Sequence, residues 1–390
     1  MAAIGGAARL GLGTVRGRAV AWQVLCLLCV LGGVWYLVDT TMANLASRNI
    51  ATGFGFLDRE AAFAIGESPI AYDASDSYGR AFLVGLLNTL RVAALGIVLA
   101  TVVGTLVGLA RLSGNWLLRR LAALYVETLR NVPLLLQLFF WYALITDVLP
   151  MPRAAMNPVA GVFLSNRGFM IPWPDFRPAH GWLFAAFALG LALSWAWMRW
   201  ARRRRERTGL PTPVLPMLAP LLIGLPLAAY VAVGVDLVVE VPELKGFNFR
   251  GGLTLTPEFA ALLLGLTLYT AAFIAEIVRS GIQAISRGQW EAARALGLRP
   301  ARVLRFVILP QALRVIVPPL TSQYLNLTKN SSLAVAIGYP DLVSIANTTI
   351  NQTGQAIEGI AMIMAVYLTI SLGISLAMNL YNRSIALVER

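Results

Sequence analysis

Eight apolar runs, separated by loops that hold most of the charge, constrain what this chain can fold into. They cover residues 19–38, 83–109, 121–145, 181–198, 213–235, 259–277, 306–337 and 359–381. Each is close to or longer than the roughly 20 residues that carry an α-helix through a hydrocarbon core about 30 Å thick. The balance of the 390 residues agrees: 58% are hydrophobic and 13% charged. A soluble domain has about a quarter charged, and mean hydropathy here is +0.69. The expectation is an all-α, polytopic membrane bundle of about eight transmembrane helices. Arg9, Arg16 and Arg18 precede the first run, as they would in a signal peptide. Its length, its Trp22, Trp35 and Tyr36, and the lack of a small-x-small cleavage site favour a retained helix. Cys26 and Cys29 lie inside this run, with no second ligand pair and His180 as the one histidine. They read as small apolar residues on one helix face rather than a redox or metal pair.

The net charge of +13 raises the question of nucleic acid, and the positions of the charges answer it. With the N-terminus in the cytoplasm, segments 1–19, 111–120, 199–207, 279–305 and 383–390 are cytoplasmic. They hold twenty basic and three acidic residues. Segments 39–80, 147–180, 236–258 and 340–358 hold eight basic and fourteen acidic residues. This is the positive-inside asymmetry, and it puts both termini in the cytoplasm. The basic excess is an orientation signal, so no nucleic-acid partner is expected; the run Arg202–Arg205 reads as a membrane-surface stop that also suits anionic lipid.

Residues 286–310, SRGQWEAARALGLRPARVLRFVILP, interrupt the apolar pattern. Ser286 with Gln289 predicts a capping box at a helix start. Gly297 suits the left-handed position that closes a helix, and Pro300 follows where a helix cannot continue. The result is a helix of about ten residues, too short to cross a bilayer. Ala292, Ala293 and Ala295 keep it slim enough for a groove on another protein, and Glu291, Arg294 and Arg299 offer charges to that groove. Leu309 and Pro310 mark the start of the next span.

The triplet Glu291-Ala292-Ala293, the glycine four residues on, and the closing Ile308-Leu309-Pro310 resemble the EAA loop of ABC-importer permeases. The resemblance implies that Trp290, Glu291, Ala292, Ala293, Gly297, Leu309 and Pro310 couple the chain to a cytoplasmic ATPase whose cleft receives the short helix. It extends over about 80–145 and 257–385. GLLNTLR at 85–91, ETLRNVPLLLQ at 127–137, YTAAFIAEIVRSG at 269–281 and TKNSSL at 328–333 are similar to the polar amino acid branch, and most similar to the large permeases of general L-amino acid importers. The implied fold is a type I ABC importer permease core with a cytoplasmic coupling helix. The implied organisation is an extra N-terminal helix and periplasmic loop at 1–80 and a first core part at 81–146. An insert with two extra spans follows at 147–256, then a second core part at 257–390. The family's minimal permease lacks the first and third of these, and packing or binding-protein contact is the role expected for them. The implied setting is the bacterial inner membrane. The implied partners are a dimer of ATP-binding subunits, a second homologous permease, and a periplasmic amino acid-binding protein that delivers L-amino acids. ATP and Mg would belong to the ATPase, since this chain has no GxxxxGK[ST] phosphate loop.

Polar residues inside apolar runs face a partner or a watery path. Asn88, Thr89, Arg91, Gln137, Asn326 and Lys329 are the candidates for a substrate path. Arg91 would meet a substrate carboxylate; hydrogen bonding between helices is the other reading for all of them. Glu127 with Arg130, and Glu276 with Arg279, have the spacing of ion pairs on one helix. Gly96, Ala100, Gly104 and Gly108 form a small-residue stripe that permits close helix approach. A proton-driven secondary transporter would need inverted repeats and midplane acids, and an intramembrane enzyme would need converging catalytic groups or metal ligands. Neither pattern is present, so no catalytic or metal-binding residue is expected.

Overall fold

The computed structural model describes residues 15–47, 52–175, 180–210, 212–234 and 238–385; Arg9, used above, lies outside them. Among the described residues, seven helices are long and apolar enough to cross a membrane, and an eighth span exists if one sharply bent pair counts as one. The chain divides into two compact units, one of residues 1–97 and 277–390, the other of residues 98–276.

In the second unit, helix α2 (Tyr78–Arg111) finishes and helix α8 (Pro257–Gln283) begins. Between them the expected straight span at 121–145 is broken. Helix α3 (Trp116–Asn131) and helix α4 (Leu134–Ala143, extended by a π turn to Val148) meet at 106°. Pro133 is the cause. It has no N–H to continue the ladder, and it drives the preceding residue to extended backbone; Val132 sits at φ −97, ψ 128. The broken pair still runs the length of α8. Val126 packs on Ala272 and Ala275, the Tyr125 hydroxyl donates to the Leu268 carbonyl at 2.7 Å, and Tyr142 donates to Glu258 at 3.2 Å. The contacts pass from the C-terminal half of α8 to its start.

The two extra spans lie in this unit as a pair. Helix α5 (Gly181–Thr208) packs on a segment made of α6 (Leu215–Ala219), a π turn (Pro220–Gly224) and α7 (Leu225–Val233). The loops on either side of that pair, expected to be irregular, form β-structure instead. Strands β1 (Met156–Val159), β2 (Val162–Ser165) and β3 (Gly168–Ile171) form an antiparallel meander. Across the pair, β4 (Trp173–Pro174) joins β5 (Val239–Glu240). The hairpin of β6 (Glu243–Lys245) and β7 (Asn248–Arg250) then leads to β8 (Leu253–Leu255). Strand β8 adds to β3 in the order β1-β2-β3-β8, with Ile171 opposite Leu253. One small sheet therefore ties together the two ends of the insert.

In the first unit, helix α1 (Val15–Ser47) is exposed along its described length. The segment after it packs on the start of α2, where Phe56, Ala61, Tyr78, Ala81 and Phe82 share a core with Leu342, Ile345 and Ala346. After α8 come α9 (Arg287–Ala295), α10 (Pro300–Val303), a π turn (Leu304–Ile308) and α11 (Leu309–Asn330). Pro310, Pro318 and Pro319 each remove a ladder N–H and would be expected to break this span. Instead α11 runs through Pro318 and Pro319, and the irregularity falls ahead of Pro310. A proline ring clashes with the carbonyl four residues back, and a π turn widens the ladder at that place. A 3₁₀ stretch (Ser331–Ile337), helix α12 (Leu342–Thr353) and helix α13 (Ala356–Ile385) complete the unit, with α13 packed on α11 and α12.

The glycine stripe of α2 serves two neighbours. A Cβ on Gly96 would lie 3.2 Å from Leu327 of α11, and one on Gly104 would lie 2.7 Å from Ile274 of α8. Gly104→Val should therefore lower the thermal stability of the purified chain by about 1–3 kcal/mol. Gly32→Val, where a Cβ meets nothing within 4 Å, should leave it unchanged; equal melting temperatures for the two variants would contradict the close approach.

Candidate functional site

The short charged segment is helical where expected, but its start differs. Ser286 occupies the N-cap position without a side-chain cap bond, so the expected capping box does not form. The Gln289 side-chain oxygen instead accepts from Gln311 Nε2 at 3.3 Å, which also donates to the Val307 carbonyl at 2.9 Å. The end of the helix follows the sequence. Gly297 is left-handed at φ 73. Its N–H donates to Arg294 at 2.9 Å and the Leu298 N–H donates to Ala293 at 3.4 Å. This is the paired Schellman closure that satisfies carbonyls orphaned at a helix end.

Packing gives α9 two faces. Ala293, Val303 and Ile308 form a buried cluster, with Trp290, Ile282, Ile285, Leu298 and Val307 against it. Trp290 and Ala293 thus fix the helix to the chain's own bundle. Glu291, Ala292, Ala295 and Leu296 face outward, and Leu296 is 81% exposed. Leu309 and Pro310 form the first turn of α11, directly after the π turn. A helix of nine residues is about 14 Å long, with an outward strip of small residues ending in a leucine knob. Such a surface suits a protein groove more than water.

The substrate-path candidates fall in three places. Asn88, Thr89 and Arg91 come together in the first unit. Asn88 is buried and donates to the carbonyls of Glu67 and Pro340, each at 2.9 Å. Thr89 is buried, donates to Gly85 at 2.9 Å, and accepts from the Leu342 N–H at 3.1 Å. Arg91 pairs with Glu67 at 2.6 Å. Asn88 and Thr89 hold the start of α12 against α2, and Asn88 and Arg91 hold the loop around Glu67 against it. Gln137, in the other unit, donates to the carbonyls of Leu129 and Val132, each at 2.9 Å. It closes the end of α3 that Pro133 leaves open. Asn326 and Lys329 are exposed on α11. Two further charged residues find partners on other helices. Glu276 pairs with Arg111 at the end of α2. Arg130 lies over the Phe273 ring at 5.0 Å, and among the described residues no ion pair joins it to Glu127.

Sequence reasoning passed over Glu67, Tyr339 and Asp341, which complete this polar core. The signal was present: Pro340-Asp341 directly before an apolar-periodic segment is a helix start. Asp341 caps α12 by accepting from Ser344 N at 2.8 Å. It is fully buried, and its Oδ2 has no partner among the described residues. Burial pushes its carboxyl up to about 7, against hydrogen bonds from the Ser344 and Val343 amides. Burial, and then the Glu67 carboxylate, also push the Tyr339 phenol upward.

Family comparison fits this architecture. The profile of binding-protein-dependent transport system inner membrane components matches residues 95–387. The chain belongs to that family. It is therefore a transport subunit of the inner membrane rather than an enzyme, and the secondary-transporter alternative has no support. The putative amino-acid ABC transporter permease protein YhdX of Escherichia coli (strain K12) is 55% identical over 374 residues, 96% of this chain and 95% of that one. The general L-amino acid transport system permease protein AapQ of Rhizobium johnstonii is 48% identical, over 96% of this chain and 93% of that one. Among solved structures, an amino acid ABC transporter crystallised with histidines is 22% identical. It covers 79% of this chain and 95% of that one, with a TM-score of 0.46.

The buried carboxyl of Asp341 gives a pH dependence with a definite sign. Its folded value lies above the ordinary 3.8, so the folded chain keeps a proton that the unfolded chain has lost. Its contribution favours the fold fully below about pH 4 and is lost as pH rises to about 7, a change on the order of 4 kcal/mol. Asp341→Asn keeps an N-cap oxygen and removes the titration. Melting curves of the two proteins in detergent should converge near pH 4, with the variant more stable at pH 8; parallel curves would contradict the assignment.

Proposed function

We propose that the chain forms half of the membrane passage of an ATP-driven L-amino acid importer, and that α9 is the lever on which the ATPase acts. The observation that carries this is the two-faced α9. Its inner face is built into the core shared with the segment leading to α11, and its outer face offers Glu291, Ala292, Ala295 and Leu296. A force on the outer face passes through Ala293 to Val303 and Ile308, and so into the membrane helices. Rigid-body motion of packed helices then exchanges inward-open and outward-open states. Membership of the transport family and the printed names of the relatives support the amino acid assignment.

The assembly we infer has two copies of an ATP-binding subunit, which hold ATP and Mg, and a second homologous permease. A periplasmic binding protein selects the amino acid. The charge asymmetry of the loops supports cytoplasmic termini and a cytoplasmic α9. Residues 81–146 and 257–390 are the core in this reading, and the sheet-bearing insert 147–256 faces the binding protein. Asn88 and Thr89 position the loop before α12 through Pro340 and Leu342, and Arg91 with Asn88 fixes the loop around Glu67. Asn326 and Lys329 remain the exposed polar groups with which a substrate would make contact, and Gln137 maintains the helix break.

Reconstitution with the ATPase and binding protein tests the reading. Leu296→Arg and Glu291→Lys should each cut amino acid uptake at least tenfold with little change in thermal stability, because both side chains point away from the core. Gly297→Val should do the same with a loss of about 1–2 kcal/mol, the cost of a left-handed β-branched residue. Full uptake in all three, or uptake by vesicles lacking the ATPase, would overturn it.

A further inference from the structure

The arginine-rich end of α5 has no part in the coupling just described. Arg199, Arg202, Arg203, Arg204, Arg205 and Arg207 occupy its last turns, with Glu206 as the lone acid. Residues 202–210 are all exposed. The helix turns Gly190, Ser194 and Ala201 inward, and a Cβ on Gly190 would run into the Leu221 carbonyl of the neighbouring span. The arginines lie around the part of the helix this packing leaves uncovered.

Tryptophans flank Arg199 where the apolar run stops. Trp195 and Trp200 are both exposed. The Arg199 guanidinium lies 4.1 Å from the Trp195 ring centre, and that of Arg204 lies 5.3 Å from Trp200. Exposed tryptophans of this kind mark the boundary between hydrocarbon and headgroups. The headgroup layer on one side is roughly 5–8 Å thick, and a helix rises about 1.5 Å per residue. Arg199, Arg202 and Arg203 therefore fall at the level of lipid phosphates, with two of the six arginines held by ring stacking and one, Arg202, paired with Glu206 at 3.2 Å. A positive cluster at that depth is complementary to an anionic headgroup, which guanidinium forks bind in a bidentate manner.

We propose that this cluster is a binding site for anionic phospholipid. The headgroup phosphate sits among Arg199, Arg202 and Arg203, and the acyl chains lie along Trp195 and the apolar face of α5. The lipid thereby anchors the inserted pair of spans at one membrane surface.

The test uses the full chain purified in detergent with zwitterionic lipid, and measures bound lipid by native mass spectrometry. Phosphatidylglycerol should bind at least tenfold more tightly than phosphatidylcholine of the same chain length. The preference should weaken in high salt. Substituting glutamine at 199, 202, 203, 204 and 205 together should abolish the preference, and lysine at the same positions should restore much of it. Thermal unfolding in phosphatidylcholine, unchanged between these variants, shows that the fold is retained; if the glutamine variant fails to fold, Arg202→Gln with Arg203→Gln alone should still reduce the preference severalfold. An undiminished preference in whichever variant folds overturns the site. So does saturation by inorganic phosphate at the same concentration as the lipid, which would make it a simple anion site. Displacement of the lipid by an acidic soluble protein with higher affinity would make it a protein-docking surface instead, and also overturns it.

Discussion

A carbonyl that loses its helix partner inside hydrocarbon has no water to turn to, and that constraint explains how this chain is broken where it is broken. At Pro133 the helix ends inside a long apolar run, and the buried Gln137 side chain takes two of the freed carbonyls. Near Pro310 the ladder widens into a π turn rather than opening. Before α12, Asn88 takes the Glu67 and Pro340 carbonyls and Asp341 caps the new helix. Each irregularity has a named residue that makes it tolerable, and several of those residues first look like substrate ligands because they are polar and buried.

The same economy shapes α9 and its flanks. A helix of nine residues has little stability of its own. Here it is held by the buried side chains of Ala293, Val303 and Ile308 and by the half-buried Trp290. The attachment makes it a rigid extension of the bundle. Its other side is narrow because it is built from alanines, and its exposed leucine stands at the turn where Gly297 bends the chain back.

The sequence showed the spans well, because eighteen or more apolar residues in a row leave few choices. It also showed the short helix of 287–295 and its end, since Gly297 and Pro300 have conformational requirements that do not depend on neighbours. It hid the break at 131–134, where a proline inside a long apolar run looks the same in a kinked helix and in two helices. It hid the small sheet as well. Strands of two to four residues carry too short a pattern, and the pairing of β3 with β8 joins segments more than eighty residues apart in the chain. The Glu67–Arg91 pair was invisible for a similar reason: Glu67 lies in an irregular loop, and only the folded path brings it to α2. The Glu276–Arg111 pair was hidden in the same way, because Arg111 comes from another helix.

The rung that places Ile171 opposite Leu253 has a consequence for how such a chain can change over generations. Everything between those two residues departs from one point and returns to it. A segment with a shared doorway can be lengthened, exchanged or dispensed with, and the helices on either side need not be rethreaded.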